Sequence, residues 1–338
     1  MSFTAFLAAS AAIAVDIPQP EQFGDWAISC DNGRYCAAQA AFEDSYDGKA
    51  WVISIGRDGK PQAAPSLYLS PAFYSPEAST RIKIDGRISR FGIDKNGSLI
   101  GDPVQFLDAL AKAQKAEIIG EDGTVVGGLA VSGASAALRW MDDRQMRVGT
   151  VSAIVARGSK PASAVPPLPS LPKINTPEQS AAPPRIIDNA QIATIKAQAN
   201  CSKAYHEDEF FRLDNAHTLG LIACGTGAYQ GFSVAILIQE NGAWSPAPIE
   251  QARPLWEGAK TWSAATITTA HYTPQSHLLN TFVKGRGLGD YGLSASWVWD
   301  GEIFRLANYS ALDRGRGGPP GDWLPQWQTK NAPRFPAQ

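Results

Sequence analysis

The stretch Lys284–Leu306, KGRGLGDYGLSASWVWDGEIFRL, constrains the fold more than any other part of the chain. Gly285, Gly287, Gly289 and Gly292 punctuate a loop, and a strict alternation follows. Leu293, Ala295, Trp297 and Trp299 fall on one side of a pleated strand, and Ser294, Ser296 and Val298 on the other. Asp300-Gly301 then supplies turn residues before a second apolar run, Ile303 to Leu306. The pattern predicts an antiparallel hairpin with both tryptophans facing a core.

The same grammar recurs upstream. Phe23 to Cys30 reads as a first strand turned back at Asn32-Gly33, and Trp51, Ile53 and Ile55 alternate up to Asp58-Gly59. Ile82 and Ile84 precede Asp85-Gly86, Asn96-Gly97 offers another two-residue turn, and Glu117–Ile119 and Thr124–Leu129 flank Asp122-Gly123. Short apolar runs joined by Asx-Gly turns argue for antiparallel sheet rather than βαβ units. Two helices interrupt the pattern. Asp102-Pro103 supplies an N-cap and a first-turn proline ahead of Phe106, Leu107 and Leu110. The second spans about 134–145, with Ala134, Leu138 and Met141 on one side and Arg139, Asp142 and Asp143 facing away, before a strand at 151–155.

Between Ser159 and Pro184 prolines alternate with Ser and Ala and the apolar periodicity stops, which favours an extended, semi-rigid spacer. A helix at about 189–200 opens the second half, and strands follow at 219–224 and 232–238. The fold class expected is α+β, mostly antiparallel β. A signal peptide is expected at 1–14, a β-rich domain at 15–158, the linker at 159–184 and a second β-rich domain at 185–338.

Charge excludes some functions. The net charge is −2 over 338 residues with no Lys/Arg run, so no phosphate-tracking surface and no nucleic-acid partner is expected. The N-terminal run SFTAFLAASAAIA ends in a small-x-small pattern, as secretory leaders do, but no Lys or Arg precedes Asp16. It is too short to span a bilayer, and no transmembrane segment is read elsewhere. Four cysteines fall into two local pairs, Cys30 with Cys36 and Cys201 with Cys224, which suits an oxidising compartment such as the periplasm. Zinc would need a Cys-x2-Cys or His-x3-His spacing, and the chain has neither. Disulfides are the reading.

FGDWAISCDNGRYC, SGASAALRWMDDRQMRVGT before the Pro-rich segment, CGTGAY, the Lys284–Leu306 stretch and GDWLPQW occur in an order that resembles an exported bacterial family, domain of unknown function 1176. The resemblance covers nearly the whole chain, and the N-terminal half is also distantly similar to invasion-associated locus B proteins. It implies a periplasmic protein of Gram-negative bacteria and carries no assigned activity. The family's glycine loop usually reads GRGLGDCG, with a second Cys ahead of the GDW segment. Tyr291 and Gly315 stand at those positions here, as if one disulfide had been lost, which puts a disulfide-exchange role of the loop in doubt.

No constellation outweighs its structural explanation. Gly287-Leu288-Gly289-Asp290-Tyr291-Gly292 matches G-x-G-x-x-G, but a strand follows where a dinucleotide site needs a helix. His206-Glu207-Asp208-Glu209 reads as a solvated acidic turn, and His217, His271 and His277 share no metal spacing. Asp290 and Asp300 are the one carboxylate pair open to a hydrolase reading, although both occupy turn positions that favour Asp. No cofactor, no metal site and no catalytic residue is assigned. The reading is a non-catalytic envelope protein that binds a protein or glycan partner, with Trp256, Trp262, Lys284, Arg286, Asp290 and Trp323 as candidate partner surface. The alternative is a hydrolase-like enzyme using turn carboxylates in the second half.

Overall fold

A computed structural model describes residues 14–15, 17–42, 49–73, 79–252 and 266–332. Residues 1–13 of the signal peptide expected at 1–14, and Trp256 and Trp262, lie outside them. The architecture is mostly antiparallel β with three α-helices among the described residues, as expected from the turn grammar.

The strands of the first half are β2 (Glu21–Phe23), β3 (Trp26–Cys30), β4 (Cys36–Ala40), β5 (Ala50–Arg57), β6 (Ser66–Pro71), β7 (Thr80–Ile84), β8 (Arg87–Ile93), β9 (Leu99–Ile100), β10 (Ala116–Ile119) and β11 (Val125–Leu129). The two residues of β1 (Ala14–Val15) precede them and pair elsewhere. One sheet runs β2-β3-β4-β5-β11-β10-β7-β8-β9, with β6 on the other edge of β5. One face holds α1 (Pro103–Leu110) and α2 (Ala134–Arg144): Phe106, Leu107, Leu110, Leu138 and Met141 share one core with Trp26, Ile28, Ile53, Ile82 and Ile118. Asp102 caps α1 as its position predicts, accepting from the Gln105 N–H at 2.7 Å.

Three local expectations need correction. Phe23–Cys30 is two strands, because the chain reverses at Gly24, whose positive φ brings its Cα so close to Ser132 that a Cβ would clash. Residues 151–155 form no strand. The N–H groups of Ile154, Val155 and Ala156 donate to the Asp142 carboxylate at 2.8, 2.8 and 2.9 Å, and none is left for a ladder. Asp142 itself is fully buried rather than facing solvent, with Arg57 beside it at 3.6 Å.

The second half opens with α3 (Asn189–Gln198), closed at its start by a capping box between Asp188 and Gln191. One five-stranded sheet is built from β12 (Glu209–Arg212), β13 (His217–Thr226), β14 (Gly231–Gln239), β15 (Trp244–Pro246) and β17 (Thr266–Thr268). The other is β18 (His271–Thr273), β19 (Leu278–Lys284), β20 (Gly292–Trp299), β21 (Phe304–Leu312) and β22 (Leu324–Gln328), in sequence order. The short β16 (Gln251–Ala252) pairs in parallel with β1. The two sheets pack face to face: Leu219, Leu221, Ala235 and Leu237 meet Leu279, Leu293, Ala295, Trp297, Trp299 and Tyr309. The alternation read from β20 holds, since Val298 faces a separate cluster on the opposite side. Ile195 of α3 covers the outer face of the first sheet, over Ile222, Val234 and Ile236.

The halves touch through more than the linker. Strand β22 lies across β3 and β4. The turn between those strands, at the Cys30–Cys36 disulfide, exchanges two hydrogen bonds between Asn32 and the Gln328 backbone, and Gln328 Nε2 donates to Asp31 at 2.8 Å. Ser54 donates to Asp322 at 2.7 Å. Within 159–184, Val165 is buried, Ile174 exchanges hydrogen bonds with the Asn331 side chain, and the Lys330 N–H donates to Pro172 O.

Candidate functional site: a polar cleft beneath the second disulfide

The Cys201–Cys224 disulfide joins the residue after the α3 turn to the far end of β13. The β13–β14 register slips between Ala223 and Gly225, a bulge at the disulfide position. Chain segment 202–208 satisfies the backbone groups there. Ser202 N–H donates to Cys224 O at 3.0 Å, Tyr205 N–H to Thr226 Oγ1 at 3.2 Å, and Ala223 N–H to Asp208 Oδ1 at 2.7 Å. Lys196 of α3 holds the same Asp208 carboxylate at 3.1 Å. The disulfide, the bulge and these contacts hold His206-Glu207-Asp208-Glu209 along the sheet edge rather than leaving it a loose turn.

This segment forms one wall of a cleft of about 480 Å³, with Thr226, Gly231, Ser233 and Thr269 opposite. Ser233 is buried, and its Oγ lies 3.1 Å from His206 Nε2. The imidazole fits because position 231 is glycine: a Cβ there would stand 3.1 Å from His206 Cε1. Tyr205 stands on the rim, 76% exposed, with the Lys203 ammonium 5.0 Å from its ring centroid. Exposed Tyr229 caps the turn from β13 to β14, next to Gly287 of the glycine loop. The cleft presents hydroxyls, an imidazole, carboxylates and an open aromatic ring. Among the described residues, the His206 ring bonds to Ser233, and no carboxylate is bonded to it.

The residues picked out in sequence lie elsewhere. Asp290 is buried, and Arg286 grips it through two bonds of 2.7 and 2.6 Å while Gly317 N–H donates at 3.0 Å. Burial pushes the Asp290 carboxyl upward, but the Arg286 hydrogen bonds, the Gly317 N–H and the Arg286 charge outweigh it, and the net shift is down. Trp323 is buried too, stacked on Phe282 at 4.5 Å with its indole N–H on Gly289 O. Neither Asp290 nor Trp323 therefore offers its side chain to a partner. Both backbone groups of Lys284 are held by the Gln230 side chain. Arg286 lines a second pocket of about 260 Å³ between the halves, flanked by Phe73 and Tyr291. Gly315 lines the same pocket as Tyr291.

Asp290 and Asp300 do not act on one bond. They sit at opposite ends of β20, separated by roughly 25 Å at ~3.3 Å per residue, against the ~10 Å limit of a glycosidase pair. Asp300 also has a lowered pKa. Burial raises it, and the Ile303 and Glu302 N–H groups with Arg305 more than reverse that. A general acid needs the opposite shift. Among the described residues no group of three or more His, Cys, Asp or Glu side chains converges to hold a metal.

With β20, the glycine loop and the Gly133–Thr150 segment in place, the quoted motifs find their counterpart in one family profile. It is the protein family of unknown function DUF1176, and it matches residues 20–330. The chain belongs to this family. A relative within the curated proteins, the uncharacterized protein YpfG of Escherichia coli strain K12, is 26% identical over 336 residues, covering 93% of this chain and 94% of its own. The crystal structure of invasion associated protein B from Bartonella henselae aligns with 38% of this chain and 99% of its own, at 16% identity and a TM-score of 0.28. At that score it says nothing about function. The cleft was missed in sequence because its walls come from residues 205–209, 226–233 and 269–270, which only the folded sheet brings together. The one available signal was Cys201, which ties the HEDE segment to a strand end.

Proposed function

We propose that this DUF1176 chain is a non-catalytic binding protein of the bacterial envelope, exported to the periplasm, that holds a glycan in the cleft beside the Cys201–Cys224 disulfide. The observation that carries the reading is Tyr205, an open aromatic ring on the rim of a polar cleft of about 480 Å³. A sugar has an apolar C–H face that lies on an aromatic ring, and hydroxyls that exchange hydrogen bonds with groups such as Ser233, Thr226, His206 and Glu207. Two disulfides support an oxidising compartment, where cell-wall glycan is the abundant polymer. No helix among the described residues is long and apolar enough to cross a membrane. The hydrolase alternative loses support, because both of its carboxylates are fastened in structural contacts.

Isothermal titration with soluble peptidoglycan fragments, and with an α-glucan oligosaccharide as control, tests the proposal. The parent chain should bind the fragments, and Tyr205→Ala should weaken binding at least tenfold without changing the melting temperature. No binding by the parent, or equal binding by the variant, refutes it.

A further inference from the structure

The N-terminal end of the described chain does not belong to the half that follows it. Ala14 and Val15 form a parallel pair with Gln251 and Ala252, and Ile17 is 1% exposed inside the sandwich core of the second half, with Leu219, Leu221, Trp297 and Trp299. Pro18 and Pro20 then carry the chain across in an extended path to β2, the first strand of the other half. Ile17, two residues into the unit expected at 15–158, packs in the core of the second half.

The segment they dock on is itself fastened to the hairpin at the centre of that half. Glu250 N–H donates to Phe304 O at 2.9 Å and Phe304 N–H to Pro248 O at 2.8 Å. The Trp297 indole donates to Glu250 O at 2.9 Å, and the Glu250 carboxylate accepts from Leu306 N–H at 2.7 Å. Residues 248–252 thus lie between β21 and β1, with one side on the hairpin and the other on the N-terminal pair.

We infer that Val15 and Ile17 are a closing strap: pairing of Val15 with Ala252 and insertion of Ile17 seal the second sandwich. Without the strap, the core around Trp297 lacks one buried isoleucine and the edge of β16 is unpaired. The strap is synthesised before every strand it completes, so the second half closes only when the N-terminal end is free to return to it. An extension that holds Val15 and Ile17 elsewhere keeps this half open.

The full chain carrying Val15→Cys and Ala252→Cys, treated with a short bis-thiol alkylator, reads the pairing directly. Peptide mapping should recover a crosslink between the two positions. The full chain with Ile17→Ala should melt about 5–15 °C below the parent, and Ile17→Val about 1–5 °C below. If Ile17→Ala yields no folded protein, Ile17→Val carries the measurement. Absence of the crosslink in a folded double variant, or an unchanged melting temperature for the Ile17 variants, overturns the strap.

Discussion

Asp142→Asn is the most informative single change in the first half. The side chain keeps its size and place on α2 but loses its charge and one acceptor. In the parent, Oδ1 accepts from Ile154 N–H, and Oδ2 accepts from both Val155 and Ala156 N–H. Whichever way the amide turns, its NH2 faces at least one backbone donor. Arg57, 3.6 Å away, loses its counter-charge while nearly fully buried. Its pKa already stands lowered to about 10, by burial first and then by the Arg147 charge, with Asp142 working against both. Arg147 is likewise buried and stays in place, donating to the carbonyls of Asp58, Lys60 and Pro61. An orphaned buried N–H costs about 1–3 kcal/mol, and breaking a buried ion pair from one side costs about 3–5 kcal/mol. The two overlap, so the expected loss is about 3–5 kcal/mol in total. Asp143→Asn, one position on and exposed, is the control and should stay within about 0.5 kcal/mol. Urea denaturation followed by tryptophan fluorescence measures both, with the slope checked for constancy. An Asp142→Asn midpoint within about 1 kcal/mol of the parent would show that the carboxylate does not hold the 147–158 loop.

Trp297→Ala in the full chain should cost about 3–5 kcal/mol, because it empties a core site and strands the Glu250 carbonyl that its indole serves. Urea denaturation of Trp297→Ala and Trp299→Ala checks it, and near-parental stability in both would mean that β20 is not the centre of the sandwich. The carboxyls of Asp214, Asp290 and Asp300 are all held below their ordinary range, so their contribution is complete above pH ~4 and disappears as pH falls through the lowered values. The denaturation midpoint should be flat from pH 7 to about 5 and fall below ~4, and the fall should be shallower in Arg286→Gln, because Asp290 then loses the guanidinium that holds its folded-state pKa down; a profile unaffected by that change would remove the Arg286–Asp290 pair from the account.

The elements legible in sequence are those whose cause is local. Asp102 caps α1 because its oxygen reaches a donor three residues on, and Asp85-Gly86 turns β7 into β8 because both residues take positive φ. The failures have non-local causes. Residues 151–155 have the composition of a strand, but their N–H groups are claimed by a carboxylate on α2. Ile17 looks like the start of the first half and is core to the second, a contact across more than two hundred residues that no window reveals. Asp142 is different, because the geometry for placing it was already in the sequence. At 100° per residue it lies 40° beyond Leu138, on the border of the apolar stripe that runs back through Ala134 and Met141. Its charge, not its position, suggested solvent. A lone carboxylate bordering the apolar face of a short helix is better read as buried and bound, with donors to be sought for it. Here the donors were twelve to fourteen residues downstream, in a segment whose valines and isoleucine had suggested a strand. The two misreadings were therefore one: the same hydrogen bonds that bury Asp142 deny 151–155 a ladder.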